Sequence, residues 1–152
     1  MERYYEDYYQ LINDLSLEVE AALKNLPQEG ADWSPGPDMN SIGALVAHLT
    51  GSTRFWIGHF VGGMAFDRDR EAEFQTNGVN PIILKQRLNA TLGVVKTVME
   101  SLNLEDLNTI RSSPKDGSER TVSYCLGRAL EHFGMHTGHI QMTRQLWDKE
   151  RK

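Results

Sequence analysis

Three of the five histidines of this chain crowd into one short run, Glu131-His132-Phe133-Gly134-Met135-His136-Thr137-Gly138-His139. Neutral imidazole is a nitrogen donor for divalent transition metals and a proton carrier near pH 7. On a helix, at ~100° per residue, His136 lies roughly 40° from His132 and His139 roughly 20° to the other side. All three then share one face. His132 and His136, spaced i and i+4, can direct ring nitrogens at a common point. The apolar stripe of the same segment, Leu126, Ala129, Phe133 and Ile140, is centred to one side of that face, so the histidines border the core. An ion held there would be shielded on one side and reachable from the other. The pair alone fits equally well with imidazoles that are merely exposed or hydrogen-bonded.

Two histidines leave a metal site incomplete, because catalytic zinc-type sites use three protein ligands and keep one position open. His48 is the candidate for the third. It lies one residue from the apolar seam of an earlier helical segment. With four helices running up-down-up-down, the second and fourth are parallel, and at ~1.5 Å per residue His48 falls at the height of His132 and His136. His59 shares nearly the same face as His48 but lies ~16 Å further along and cannot complete the same site. His139 is assigned to the rim or to a supporting contact behind a ligand, and His59 to a surface or interhelical place. Cys125, two turns before His132, reads as a small core residue. Glu131 points roughly 100° away from His132 and reads as solvated or as a support. No carboxylate has a spacing that marks it as a general base.

The elements that must position these residues are four amphipathic helices. The first runs from about Arg3 to Leu26, with Tyr5, Tyr8, Ile12, Leu15, Val19, Ala22 and Leu26 in steps of three and four. Pro27 and Gly30 end it. The loop from Ala31 to Met39 carries Trp33, Pro35, Gly36 and Pro37. Asn40 or Ser41 caps the second helix, which bears Ile42, Leu45, Leu49, Trp56 and Phe60 and closes at Gly62-Gly63. The charged stretch from Phe66 to Gly78 reads as a solvated connection. Asn80-Pro81 starts the third helix, with Leu84, Leu88, Leu92, Val95, Met99 and Leu102 along its seam. Ser112, Ser113, Pro114, Asp116 and Gly117 signal turns, and Asp116-Gly117 allows a short hairpin between Leu107–Arg111 and Arg120–Val122. The fourth helix extends from Thr121 or Ser123 to about Asp148. The expected fold is all-α, a single four-helix-bundle domain over residues 1–152. Tyr4, Tyr5, Tyr8 and Tyr9 form an aromatic stem for packing or dimerisation.

The 152 residues suffice to bury a sizeable core, and 39% hydrophobic with 24% charged residues is an ordinary globular balance. A formal charge of -5 with no basic stripe argues against a nucleic-acid partner. The longest apolar stretch, around Ile42 to Leu49, is far short of the ~20 residues that cross a bilayer, so no membrane partner is expected. Cys125 is the single cysteine, and the start Met-Glu-Arg-Tyr-Tyr lacks the regions of a signal peptide. A cytoplasmic location is the expectation.

Two runs carry a resemblance. Asn40-Ser41-Ile42-Gly43-Ala44-Leu45-Val46-Ala47-His48-Leu49, preceded by Trp33-Ser34-Pro35, resembles the second-helix signature of the DinB/YfiT superfamily. Leu130-Glu131-His132-Phe133-Gly134-Met135-His136-Thr137-Gly138-His139-Ile140 resembles its fourth-helix signature, in which two histidines four apart precede Gly-Gln-Ile. With similar spacing between them, the resemblance covers essentially the whole chain. It implies a four-helix bundle, often a homodimer, with nickel or zinc held by three histidines at His48, His132 and His136. His139 replaces the usual glutamine and Thr137 a frequent arginine. The segment from Phe66 to Phe74 is similar to one in branches without an assigned activity. The implied activity is a metal-dependent transferase using a low-molecular-weight thiol, or a hydrolase acting on a small-molecule substrate. The alternatives are a non-catalytic stress-related protein with a structural or adventitious metal, and a metal-free helical dimer that binds a small molecule.

Overall fold

The computed structural model describes residues 1–113 and 115–152; Pro114, one of the turn-signalling residues, falls outside them. Helix α1 spans Arg3–Leu23 and ends where Asn25 turns to a left-handed φ of 55°. Leu26 therefore lies beyond the helix, though buried in the same core. A short α2, Gln28–Asp32, follows, and its Gly30 leaves space for Trp147, since a Cβ there would lie 2.8 Å from the indole. Helix α3, Ile42–Thr53, is capped by the Ser41 hydroxyl, which accepts from the amide of Ala44 at 3.1 Å. It continues through Arg54–Val61 with wider turns, ending in a bond from the Gly62 amide to the carbonyl of Ile57, five residues back. Gly58 and Gly62 bring this segment close to α5: a Cβ would stand 2.9 Å from Val94 and 2.6 Å from Val98 respectively.

Replacing the Ser41 hydroxyl should destabilise the helix that carries His48. Ser41→Ala is expected to cost about 1 kcal/mol and lower Tm by about 2–4 °C, read by thermal unfolding.

The stretch from Phe66 to Gly78 is more than a solvated connection. Asp69 accepts from the Ala72 amide at 2.9 Å and starts a one-and-a-half-turn helix α4, Arg70–Phe74, which packs on α3. Helix α5, Pro81–Ser101, begins at Asn80, whose side chain accepts from Ile82. A tight turn at Leu104–Asn108 leads to two short antiparallel strands, β1 (Ile110–Ser112) and β2 (Glu119–Thr121), with Ile110 opposite Thr121. Helix α6, Val122–Glu150, starts at a Thr121 cap.

The four long helices form the expected bundle, but their directions differ from an up-down-up-down order. Tyr8 of α1 donates to the carbonyl of Leu126 near the start of α6, and Arg144 near its end donates to the carbonyls of Ala22 and Lys24. Helices α1 and α6 are therefore parallel. Lys85 at the start of α5 pairs with Glu20 near the end of α1, and the Tyr5 hydroxyl donates to the Asn103 carbonyl just past α5, so this pair is antiparallel. Trp56 meets Tyr124 while His48 meets His132, so α3 and α6 are antiparallel. The order is up-down-down-up, with α1 diagonal to α3 and α5 diagonal to α6. Connections spanning residues 24–41, 62–80 and 102–121 are long enough to cross the bundle.

One apolar cluster fills the centre, with Tyr5, Ile12 and Val19 from α1, Leu49 and Ile57 from the second long helix, Leu88 and Met99 from α5, and Leu126, Phe133 and Ile140 from α6. Each such burial contributes roughly 1.5–3 kcal/mol. Cys125 is part of this core, and burial raises its thiol to about 11. Tyr5 and Tyr8 of the aromatic stem are buried, whereas Tyr4 is exposed. Among the described residues no helix is long and apolar enough to cross a membrane.

Candidate metal centre

His48 sits two turns into α3 and two turns before Trp56; His132 sits two turns after Tyr124 on antiparallel α6. Equal offsets from the Trp56–Tyr124 contact set the two histidines at one height, and the i, i+4 spacing brings in His136. The expectation of matching heights holds, although the helices are antiparallel, because α6 reaches far past the top of α3. All three rings are buried, at 4, 7 and 8% exposure for His48, His132 and His136.

One ligand-capable nitrogen from each ring lies within 4.8 Å of the others. His48 Nε2 is 3.0 Å from His132 Nε2, and His136 Nε2 is 3.2 Å from the same atom. Ligands about 2.0–2.1 Å from one divalent ion would lie roughly 2.9 Å apart in octahedral and 3.3 Å apart in tetrahedral geometry. The observed separations fall in that interval.

Proton counting adds a second reason to place a cation here. His48 Nδ1 lies 2.9 Å from Glu73 Oε2, and a carboxylate only accepts, so Nδ1 carries the proton. In the neutral ring, Nε2 of His48 is then a bare lone pair. His132 Nε2 is common to both close contacts and holds either one proton or one lone pair. It cannot satisfy both neighbours with linear hydrogen bonds. A cation between the lone pairs can.

Electrostatics keep the rings in the ligating form. Burial pushes His132 down to about 3, with further repulsion from His136 and His48. Burial pushes His136 down to about 4, with His48 and His139 adding to it. His48 is lowered as well, chiefly by burial, against an opposing pull from its Glu73 hydrogen bond.

Around this cluster the sequence-based assignments fare unequally. His139 is exposed and its Nδ1 is 3.3 Å from the outer nitrogen of His136, a rim position as expected. His59 turns away, donating from Nδ1 to the carbonyl of Met64 at 2.8 Å. Glu131 is exposed and pairs with Arg128. Three residues missed by sequence reading touch His48. Glu73 accepts from Nδ1, Phe74 stacks on the ring with centroids 4.3 Å apart, and Arg68 grips Glu73 at 2.8 and 3.0 Å. The available signal was chemical: a ligating histidine needs an acceptor for its second N–H, and a helix-capping Asp69 with acids beside it lay in the charged run.

A cavity of about 720 Å³ lies between the end of α1 and the start of α5 and touches none of these histidines. A cavity of about 340 Å³ between α3, α4 and α5 reaches Glu73 from behind. The convergent nitrogens, not cavity size, mark the candidate site, since a lone ion needs donors and little volume.

The helical bundle gathers three buried imidazoles, from two antiparallel helices, that could together hold a metal ion. The chain is a member of the DinB superfamily, whose model matches residues 17–140. No curated protein matches the sequence. Among solved structures, a conserved protein from Enterococcus faecalis is similar with a TM-score of 0.82 at 15% identity, covering 98% of this chain and 99% of that one. YfiT from Bacillus subtilis, described as a probable metal-dependent hydrolase with an unusual four-helix bundle topology, has a TM-score of 0.74 at 14% identity, covering 95% and 89%. An uncharacterised protein from Clostridium difficile 630 has a TM-score of 0.68 at 16% identity, covering 98% of each chain. At these identities the likeness shows the fold.

Proposed function

We propose that the protein is a divalent-metal-dependent hydrolase of a small-molecule ester or amide, with the ion, zinc or nickel, held by His48, His132 and His136. The observation that carries this reading is the convergence of three buried Nε2 atoms whose lone pairs cannot all be satisfied among themselves. The hydrolytic class is supported by the description of YfiT, and an ion bound there would supply Lewis acidity and lower the pKa of an exogenous ligand.

Among the described residues the cluster has three members, which leaves room for that exogenous ligand. Phe74 covers one face of the His48 ring and excludes water from it. His139, exposed beside His136, can take or return a proton at the rim. The same centre could bind a low-molecular-weight thiol, so the reaction must be tested both ways. We further propose a cytoplasmic homodimer, supported by the exposed Tyr4, Leu11 and Leu17 on α1.

The test is turnover of a panel of nitrophenyl esters and anilides by untagged protein reconstituted with zinc(II) or nickel(II). Hydrolysis that needs the metal, stops with chelator and proceeds without thiol is expected. Turnover only with added thiol would replace hydrolysis by transfer. Stoichiometric metal without any turnover would favour a non-catalytic centre.

A further inference from the structure

Of the three histidines, His48 alone has its outer nitrogen bonded to a carboxylate. The outer nitrogen of His132 is buried with no partner, and that of His136 meets another imidazole. His48, by contrast, is engaged by a separate piece of chain, 20 to 25 residues away in sequence. Phe74 sets its ring plane, at 29° and 4.3 Å. Glu73 Oε2 accepts the hydrogen bond from Nδ1 at 2.9 Å, and Arg68 holds both oxygens of that carboxylate. Glu73 and Arg68 side chains are themselves 10 and 15% exposed.

Helix α3 makes space for this arrangement at one residue. A Cβ on Gly51 would run into the Glu73 carboxylate, lying 2.7 Å from its Cδ. Glycine in the middle of a helix is unfavourable relative to alanine, so its presence here needs a reason. The reason at hand is access: one turn beyond His48, the missing side chain lets the carboxylate reach Nδ1.

We propose that Glu73, steadied by Arg68 and admitted by Gly51, is a positioning residue that fixes the His48 tautomer and aims its Nε2 lone pair at the metal. This rests on the three-histidine reading above. A carboxylate behind a ligating imidazole raises the basicity of the ligand nitrogen and removes the freedom of the ring to turn or to exchange tautomers. Because the carboxylate comes from α4, the segment from Arg68 to Phe74 completes the centre without supplying a ligand.

The test is a double-mutant cycle on zinc(II) affinity, measured by competition with a chromophoric chelator, with helix content followed by circular dichroism. Glu73→Ala is expected to weaken binding roughly 10–100-fold. Gly51→Ala should weaken it similarly while leaving the helices intact or firmer, since alanine is the better helix former. In the Glu73→Ala background, Gly51→Ala should have no further effect, because both changes remove one contact. Glu73→Gln, which keeps an acceptor but not the charge, should recover part of the loss. In the metal-free protein, ¹⁵N shifts of the His48 ring should report the proton on Nδ1, and lose that preference in Glu73→Ala. Native-like affinity in Glu73→Ala or Gly51→Ala, or losses that add, would overturn this role while leaving the metal centre standing. Failure of the unaltered protein to bind zinc(II) would overturn both.

Discussion

His136→Ala should abolish stoichiometric binding of zinc(II) or nickel(II) and leave the helical content unchanged. The ring contributes one of three nitrogens, and its Nε2 stands 3.2 Å from that of His132. With two ligands left, both the enthalpy of a third bond and the fixed geometry are gone. The affinity loss should exceed the roughly 10–100-fold that follows removal of a mere supporting contact. The bundle should survive, because the core face of α6 is made by Leu126, Ala129, Phe133 and Ile140, and His136 lies beside that stripe. His48→Ala and His132→Ala should behave alike. Metal content after dialysis, read with circular dichroism, checks the result. Full retention of the ion in His136→Ala would remove that residue from the centre; global unfolding would make the ion structural.

The metal-free protein should lose stability steeply as pH falls from about 6.5 towards 4. In the unfolded chain each histidine titrates near 6.5. In the folded protein His132 and His136 are lowered to about 3 and about 4, and His48 is lowered too. Above pH 6.5 the rings are neutral in both states and add no pH dependence. Below it the unfolded chain takes up protons that the folded chain refuses, so the unfolded state gains. Each such proton is worth about 1.4 kcal/mol per pH unit, so His132 and His136 together give a slope of about 3. Urea unfolding at pH 7.5, 6.5, 5.5 and 4.5 measures it. His136→Ala should lower the slope by one proton's worth, and a flat profile from 7.5 to 5 would contradict the burial of these rings in neutral form. Added zinc(II) should hold stability up until protons displace it.

The histidine cluster was legible in the sequence because its information is local. The i, i+4 spacing of His132 and His136 and the apolar stripe beside them follow from helix geometry alone. His48 was found by height, from a parallel pairing of the second and fourth long helices that the structure shows to be antiparallel. Hydrophobic periodicity tells which face of a helix is buried, but not which helix it faces, and the connections between helices are long enough for a diagonal order. The contacts of Tyr8 with Leu126 and of Lys85 with Glu20 settle the order, and both are non-local. Arg68, Glu73 and Phe74 were illegible for the same reason. A charged run looks solvated until its partner is known, and the partner of Glu73 lies 25 residues earlier in the chain. Gly51 carried a trace of the site, as a glycine in a helix with no turn or cap to explain it.

The most direct measurement is the anomalous scattering of zinc(II) or nickel(II) in crystals of the untagged protein. A single strong peak is predicted about 2.0–2.2 Å from Nε2 of His48, His132 and His136 together, with at least one further position filled from solution. A peak elsewhere, or none at saturating metal with the three rings still in contact, would contradict the account.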